Sequence, residues 1–438
     1  MTGVLVSSDS SRRRQRNRFR KAAVCATTAL SLALLAACSS SSSSSGSGSG
    51  STSTASSSTA ASAAASGSAA SGAPINVGAV ETASGSYGDP LFLTITSVWA
   101  KWTNAHGGIN GHPVHVIAVD DAGNPAQGLS EVKTLVQQDH VIALVGSNAG
   151  SSSSWLPYTE QQHVPVIGGS AGGYSASAPA YTFPAGLSVT SLLTASYQLA
   201  KLAGDTKVGQ FMALGAGQNL SQYEGALKLA AKAAGTSIVY ATAVSPTQPD
   251  YTAPCLSMKG AGANMAIVGI SPAVTLNIME TCLRQGYKGA FMTTNGLSSP
   301  AWNKEAALNG TKVYVLDDVW PFYQQSTTAQ KDYVAAINQY APGMLTNPGY
   351  NAYVQDEWTG LQMFQAAAVA AKVGPSSTSA DLVTGLYTLH DETLGGLIGP
   401  VTFSRAAKVQ TANCYFVSLL QNGQWTDPLG TKAQCVAS

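Results

Sequence analysis

Residues 75–121 have the sequence INVGAVETASGSYGDPLFLTITSVWAKWTNAHGGINGHPVHVIAVDD, in which two apolar runs of strand length enclose a segment of helical period. The apolar runs lie at 75–80 and 114–119. Between them, apolar side chains recur at spacings typical of one helix face: Leu91, Phe92, Ile95, Val98, Trp99 and Trp102. The pattern predicts a strand, a helix that stops at Gly107-Gly108, and a second strand.

The same alternation continues along the chain. It predicts strands at 141–145, 164–167, 208–214, 237–243, 265–270, 290–294 and 313–316. Helices are predicted at 127–138, 155–162, 221–234, 251–259 and 274–285, a mostly helical region at 330–372, and closing strands at 401–403 and 415–420. Strands that alternate with helices indicate parallel sheets covered on both faces. The fold class is therefore α/β, with two doubly wound series joined near 183–186.

The N-terminal region has the features of a bacterial lipoprotein signal. Six arginines and Lys21 lie within residues 12–21, and the 16 residues at 22–37 carry no charge. A spanning helix needs about 20 apolar residues, so this segment suits a cleaved export signal. Because Leu35-Ala36-Ala37 precedes Cys38, we expect cleavage before Cys38 and a lipid on its sulfur. An ordinary secretory signal is the alternative. The predicted location is the extracytoplasmic face of the cell membrane.

Residues 38–73 are predicted to form a flexible linker, because 39–73 consist almost wholly of Ser, Gly, Ala and Thr. Residues 1–37 hold 7 of the 23 basic and 1 of the 22 acidic residues, so the remainder has 16 basic and 21 acidic residues and a net charge of −5. This balance argues against a nucleic-acid partner.

Four of the six cysteines remain after the signal and the lipid site: Cys255, Cys282, Cys414 and Cys435. An even number suits disulfides in an oxidising compartment, and four cysteines allow three pairings. We favour Cys255–Cys282 and Cys414–Cys435, because each closes a local loop. A four-cysteine metal site is the alternative, although the close Cys-x-x-Cys pairs of such sites are missing.

Three segments at element ends carry a family resemblance: SYGD at 86–89, NAHGGINGHP at 104–113 and DDAGNP at 120–125. Together they resemble the type I periplasmic binding proteins, in the leucine/isoleucine/valine-binding branch. The resemblance implies two lobes joined by a three-strand hinge, with a small polar solute in the cleft. It implies lobe one at 74–185 plus 318–388, and lobe two at 186–317 plus 389–438. It also implies the solute-binding component of an ABC importer, with permease and ATPase subunits as partners.

The candidate site residues follow from this resemblance and from the ends of the predicted strands, where doubly wound sheets bind ligands. They are Tyr87, Asn148, Ser151, Ser152, Ser170, Ala171, Gly172, Gln218, Ser271, Asn295 and Asp318. The family's acidic group for an amino acid's ammonium falls on Asn295, which supplies only a dipole. Either Asp317, Asp318 or Glu81 replaces it, or the solute is an amide, an acid without an amine, or a polyol.

Other functions have weaker support. Gly168-Gly169-Ser170-Ala171-Gly172 has the Gly-x-Ser-x-Gly pattern of a hydrolase nucleophile, with Asp317 or Asp318 and His390 following in Ser-Asp-His order. The segment that follows is broken by Pro179, whereas a nucleophile elbow leads directly into a helix. A ligand-sensing ectodomain for a signalling receptor is a further alternative. We expect no enzyme activity, no metal and no cofactor.

Overall fold

The first of two sheets contains five parallel strands in the order β2-β1-β3-β4-β5. The computed structural model describes residues 69–85, 88–146, 149–169, 181–213, 220–407 and 410–436. The strands are β1 (Ile75–Glu81), β2 (Val114–Asp120), β3 (Leu144–Val145), β4 (Val166–Ile167) and β5 (Thr182–Phe183). The helices packed around this sheet are α1 (Leu91–Ala105), α2 (Pro125–Gln137), α3 (Ser152–Gln161), α8 (Thr328–Tyr340), α9 (Tyr353–Ala370) and α10 (Ser379–Leu386).

The second sheet has the order β12-β11-β10-β9-β8-β6-β7, and β13 pairs with β11. Its strands are β6 (Lys207–Ala213), β7 (Ser237–Val244), β8 (Met265–Gly269), β9 (Ala290–Thr294), β10 (Val313–Asp317), β11 (Cys414–Gln421), β12 (Gln424–Thr426) and β13 (Gln434–Cys435). Strands β6 to β10 are parallel, and β11 pairs antiparallel with β10 and β12. The remaining helices are α4 (Val189–Leu202), α5 (Leu220–Ala234), α6 (Thr252–Gly260) and α7 (Pro272–Arg284). Short 3-10 turns lie at Asn295–Leu297, Pro300–Lys304, Ala306–Leu308 and Met344–Thr346.

Each sheet buries both faces. We call the part of the chain around the first sheet the first lobe, and the part around the second sheet the second lobe. In the first lobe, α1 and α9 cover one face of the sheet around Trp99 and Trp358, and α2 and α3 cover the other face around Trp155. The second lobe is built in the same way, with α4 and α5 on one face and α6 and α7 on the other. The predicted α/β fold of two doubly wound lobes is therefore confirmed.

Local sequence explains where the elements of the first lobe begin and end. Asn124 caps α2, because its side chain accepts from the backbone N–H groups of Ala126 and Gln127 at 2.9 and 3.2 Å. The predicted stop of α1 is also present: Gly107 and Gly108 have φ of 95° and 65°. A Cβ on Gly108 would lie 2.0 Å from a backbone oxygen, so only glycine fits this turn.

The chain crosses between the lobes three times: after β5, after β10 and before β11. Isolated bridges tie the crossings to neighbouring segments, Leu187 to Ala412 and Val319 to Ile398. Side chains from 389 to 403 pack in the first-lobe core, which favours a third crossing near 412 rather than at 388. We therefore propose first-lobe bounds that include 389–412, in place of the bounds implied by the family resemblance.

One predicted strand, two helices and the disulfides remain to be compared with the sequence predictions. The predicted strand at 401–403 is wrong, since only Val401 forms a bridge there, to Glu392. Helices α4 and α10 are additional to the predicted elements. The disulfide prediction is confirmed, with S–S distances of 1.95 Å for Cys255–Cys282 and 2.09 Å for Cys414–Cys435.

Among the residues that the structure describes, none of the helices has the length and apolar character needed to span a bilayer. All of these residues lie in one compact unit, Ala64–Ser438.

Candidate ligand-binding site

The carboxyl ends of four parallel strands in the second sheet border a cavity of about 310 Å³. Met212 and Ala213 end β6, Gly269 ends β8, Thr294 ends β9, and Asp318 directly follows β10. Open α/β sheets bind their ligands beyond the carboxyl ends of the strands. This cavity is therefore the candidate ligand-binding site.

The cavity has an apolar wall and a polar corner. Its apolar lining includes Leu192, Leu193, Met212, Tyr223, Ile267 and Leu297, and the polar side chains of Ser196, Gln210 and Thr294 also line it. The polar corner contains Asn295, Asp318 and Tyr353. Because Tyr353 begins α9 of the first lobe while the apolar wall belongs to the second, both lobes contribute to the cavity.

Asn295 joins two buried carboxyl groups at the polar corner. Its Nδ2 donates to Asp318 Oδ1 at 2.5 Å and lies 3.5 Å from Asp356 Oδ1. Asp318 and Asp356 thus lie on either side of the same amide nitrogen, and we call them the acid pair. All three side chains are nearly inaccessible to solvent, with exposures of 3%, 7% and 2% for Asn295, Asp318 and Asp356.

The environment of the acid pair favours protonation. Burial raises the pKa of Asp356 well above its ordinary value, and the neighbouring charge of Asp318 raises it further. Burial also raises the pKa of Asp318, although the hydrogen bond from Asn295 opposes that change. Two desolvated carboxylates in contact repel each other, so the arrangement stabilises one shared proton.

Helix α9 reaches the cleft because glycines let it approach the strand ends of the first sheet. A Cβ on Gly360 would lie 2.9 Å from the Cα of Gly168 and 3.0 Å from that of Gly146. A Cβ on Gly146 would lie 1.4 Å from Glu357 Oε1. The three glycines therefore permit the close packing that places Asp356 beside the second lobe.

A second buried carboxylate organises the loops at the strand ends of the first lobe. Asp121 is fully buried and accepts from Thr82 Oγ1 at 2.6 Å, from Ser151 Oγ at 2.5 Å and from the Gly123 N–H at 2.8 Å. Thr82 in turn accepts from the Gly150 N–H at 2.8 Å. Asp121 thus connects the segments that follow β1, β2 and β3.

The structure brings two of the sequence-predicted residues together, Asn295 and Asp318. Ser151 is fully buried with its hydroxyl on Asp121, Ser152 is buried at the start of α3, and Ser271 is exposed before α7. Outside the described residues lie Tyr87, Asn148, Ser170, Ala171, Gly172, Gln218 and the lipid-site residue Cys38. Ligand contact by these residues stays a prediction.

The three acidic residues considered as replacements for the family's acid have different positions. Asp318 lines the cavity. Asp317 accepts a hydrogen bond from the Ser418 hydroxyl, and burial raises its pKa well above its ordinary value. Glu81 is fully buried within β1. Of the three, Asp318 is the one placed to meet a ligand.

Sequence analysis missed Tyr353, Asp356 and Glu357. A signal was present, because Asp356 and Glu357 are the only charged residues among the 18 of α9. Charged residues on an otherwise apolar helix are usually buried for a specific purpose. Among the described residues, no group of three His, Cys, Asp or Glu side chains could hold a metal ion.

Two α/β lobes with three crossings and a cavity between them define a two-lobed ligand-binding protein. The chain belongs to the periplasmic binding protein family, whose sequence profile matches residues 74–424. The predicted leucine/isoleucine/valine-binding branch is confirmed. An amino acid binding protein from Pseudomonas aeruginosa is 37% identical over 78 residues, which cover 18% of this chain and only 20% of that relative's length.

The solved structures that share the fold include the following three. A fatty acid ABC transporter substrate-binding protein from Thermomonospora curvata has a TM-score of 0.65 at 16% identity and covers 83% of this chain and 93% of its own. A solute-binding protein from Rhodopseudomonas palustris, in complex with benzoate, has a TM-score of 0.63 at 15% identity, with 83% and 98% covered. A branched-chain amino acid binding protein from Streptococcus pneumoniae, in complex with isoleucine, has a TM-score of 0.61 at 17% identity, with 83% and 99% covered.

Proposed function

We propose that this chain is the solute-binding component of an ABC importer, anchored by a lipid on Cys38 to the extracytoplasmic face of the cell membrane. Residues 39–69 would tether the two lobes to that anchor, because the N–H groups of Ala70 and Ser71 already donate to the Asn104 and Gly111 carbonyls of the first lobe. Permease and ATPase subunits would be its partners, and it would hold the solute without altering it chemically. The observation that carries the proposal is the cavity over the ends of β6, β8, β9 and β10, closed by Tyr353 of the first lobe.

The lining of the cavity narrows the solute class proposed from the sequence. Leu192, Leu193 and Ile267 suit an apolar body, whereas Asn295 and Asp318 suit a polar head. The fatty acid, benzoate and isoleucine of the structural relatives each combine such a body with a polar head. We therefore propose a small amino acid, amide or organic acid with an apolar side, rather than a polyol.

Binding would work by population shift. A solute that contacts Tyr353 of the first lobe and Met212 of the second gains both contacts only when the lobes are closed. Its differential affinity for the closed form then sets how far the equilibrium moves. The permease would recognise the closed form.

A thermal-shift screen of the full-length protein against amino acids, amides and small organic acids tests this function. A solute at 100 times its Kd raises the free energy of unfolding by about 2.7 kcal/mol. Met212→Trp should fill the cavity and abolish the shift, while Leu229→Trp, at a position that is 70% exposed, should leave it unchanged. An equal shift in both variants would place the solute elsewhere.

The partner is tested separately. Co-purification of the solute-loaded protein with permease subunits is the expected result. Recovery of a sensor kinase instead would assign the chain to signalling.

A further inference from the structure

The acid pair lies where the lobes meet at the hinge. Asp318 is on the second crossing, and a Cβ on Gly186 of the first crossing would lie 2.5 Å from Asp318 Oδ2. Asp356 is on α9, whose apolar side chains belong to the first-lobe core, whereas Asn295 directly follows β9 of the second lobe. Asn295, Asp318 and Asp356 therefore connect the two lobes to the second crossing segment.

A second contact between the lobes lies beside the acid pair. The ring of Tyr353 covers Gly296, so closely that a Cβ on Gly296 would lie 2.1 Å from the ring Cζ. Tyr353 precedes Asp356 by one helical turn, and Gly296 follows Asn295. The first turn of α9 thus rests on the 3-10 turn Asn295–Leu297, and a rotation that opens the lobes must separate the two.

Among the residues that the structure describes, the titratable groups that act on the acid pair supply no positive charge. The titratable side chains that act on it or on its near neighbours are acidic or phenolic: Asp317, Glu357, Tyr333, Tyr350 and Tyr353. In the part of the chain that the structure describes, the ion pairs are Lys228–Glu224 and Arg284–Glu280, both on second-lobe helices.

One carboxyl oxygen of Asp356 lacks a hydrogen bond. Its Oδ2 is buried and has no hydrogen-bond partner among the described residues. Two full negative charges in contact, without a cation and away from water, are strongly destabilising. The contact between the lobes is compatible with one charge on the pair, not with two.

We infer that the closed arrangement holds one proton between Asp318 and Asp356, and that loss of this proton separates α9 from the Asn295–Leu297 turn and opens the lobes. Closure then takes one proton from solvent and opening returns it. The inference concerns regulation of the binding site and rests on the proposed function for its biological role. Its test requires no solute.

The direction of the pH effect follows from linkage. Opening the lobes as inferred would expose both carboxyl groups to water and return their pKa values towards the ordinary value. In the closed form burial raises the pKa of the pair. Between the two values the closed form holds one more proton, so the closed-to-open ratio falls about tenfold per pH unit as pH rises.

Distances between the lobes can be measured in the full-length protein with two spin labels on unnatural amino acids, which leave the disulfides intact. Ser130 on α2 and Ser257 on α6 are exposed and lie on different lobes. We expect the short distance to dominate at about pH 4 and a longer distance to grow towards about pH 9. Asp356→Asn should keep the short distance throughout, because an amide is neutral and can donate to Asp318.

The control is Asp391→Asn, which changes an exposed first-lobe acid and should respond to pH like the wild type. A wild-type distance that does not change with pH overturns the inference, whether or not the variant folds. A pH response retained in Asp356→Asn also overturns it.

If the lobes respond as expected but no solute raises thermal stability, the proposed function fails and this inference stands. Solute binding without a pH response refutes this inference and leaves the proposed function in place.

Discussion

Replacement of Asp121 by alanine should destabilise the first lobe strongly. Asp121 accepts three short hydrogen bonds, from Thr82, Ser151 and Gly123, and a longer one of 3.3 Å from the Ser151 N–H. A hydrogen bond to a charged group contributes about 1.5 kcal/mol or more, and its loss leaves a buried donor unsatisfied. Three such bonds, which are not fully additive, predict a loss of about 3–5 kcal/mol in the free energy of unfolding.

The adjacent residue provides a matched control. Asp120 also accepts backbone hydrogen bonds, from Ala83 and Ala122 at 2.9 Å and from Ser84 at 3.2 Å. It is only half-buried, so water can replace its carboxylate. Asp120→Ala should therefore lose about 1 kcal/mol. Urea unfolding followed by far-ultraviolet circular dichroism measures both variants. Equal losses in the two variants, or less than about 1 kcal/mol for Asp121→Ala, would refute the reasoning.

Two further changes test the fold. Replacing Cys255 and Cys282 together by serine should lower the free energy of unfolding by about 3–4 kcal/mol, because the bond closes a loop of 27 residues; unchanged thermal denaturation would contradict this. Gly360→Ala should lower the free energy of unfolding by about 1–3 kcal/mol, since its Cβ would lie 2.9 Å from the Gly168 Cα. Gly225→Ala, with open space around it in α5, should raise the free energy of unfolding by about 0.5–1 kcal/mol. A urea midpoint for Gly360→Ala equal to or above that of the wild type would show that close packing at Gly360 has no effect on stability.

The sequence predicted most of the alternating strands and helices, because the spacing of apolar residues and the glycines that end helices depend only on residues close together in the chain. Strand β9 was predicted with its observed bounds, and α5 and β7 to within one residue. The strand expected at 401–403 failed for a non-local reason. An apolar run becomes a strand only where a partner runs beside it, and Val401 meets only Glu392.

The site was only partly predictable. Asn295 was found because it directly follows a predicted strand and matches the family's acidic group, and Asp318 because it lies two residues beyond another predicted strand; doubly wound topology collects such residues at one edge. Asp356 was missed because it lies within a helix. Its contact with Asn295 joins residues 61 apart in sequence and depends on glycines that follow β3, follow β4 and lie within α9. No pattern among neighbouring residues indicates that α9 lies this close to Asn295.

The central claim is that one solute lies between the lobes, over the strand ends of the second sheet. A crystal structure with the solute that gives the largest thermal shift tests it most directly. The account predicts electron density beside Asn295, Asp318 and Tyr353, with the solute chemically intact. Density in the surface hollow between α5 and β7, or a hydrolysed product, would contradict it.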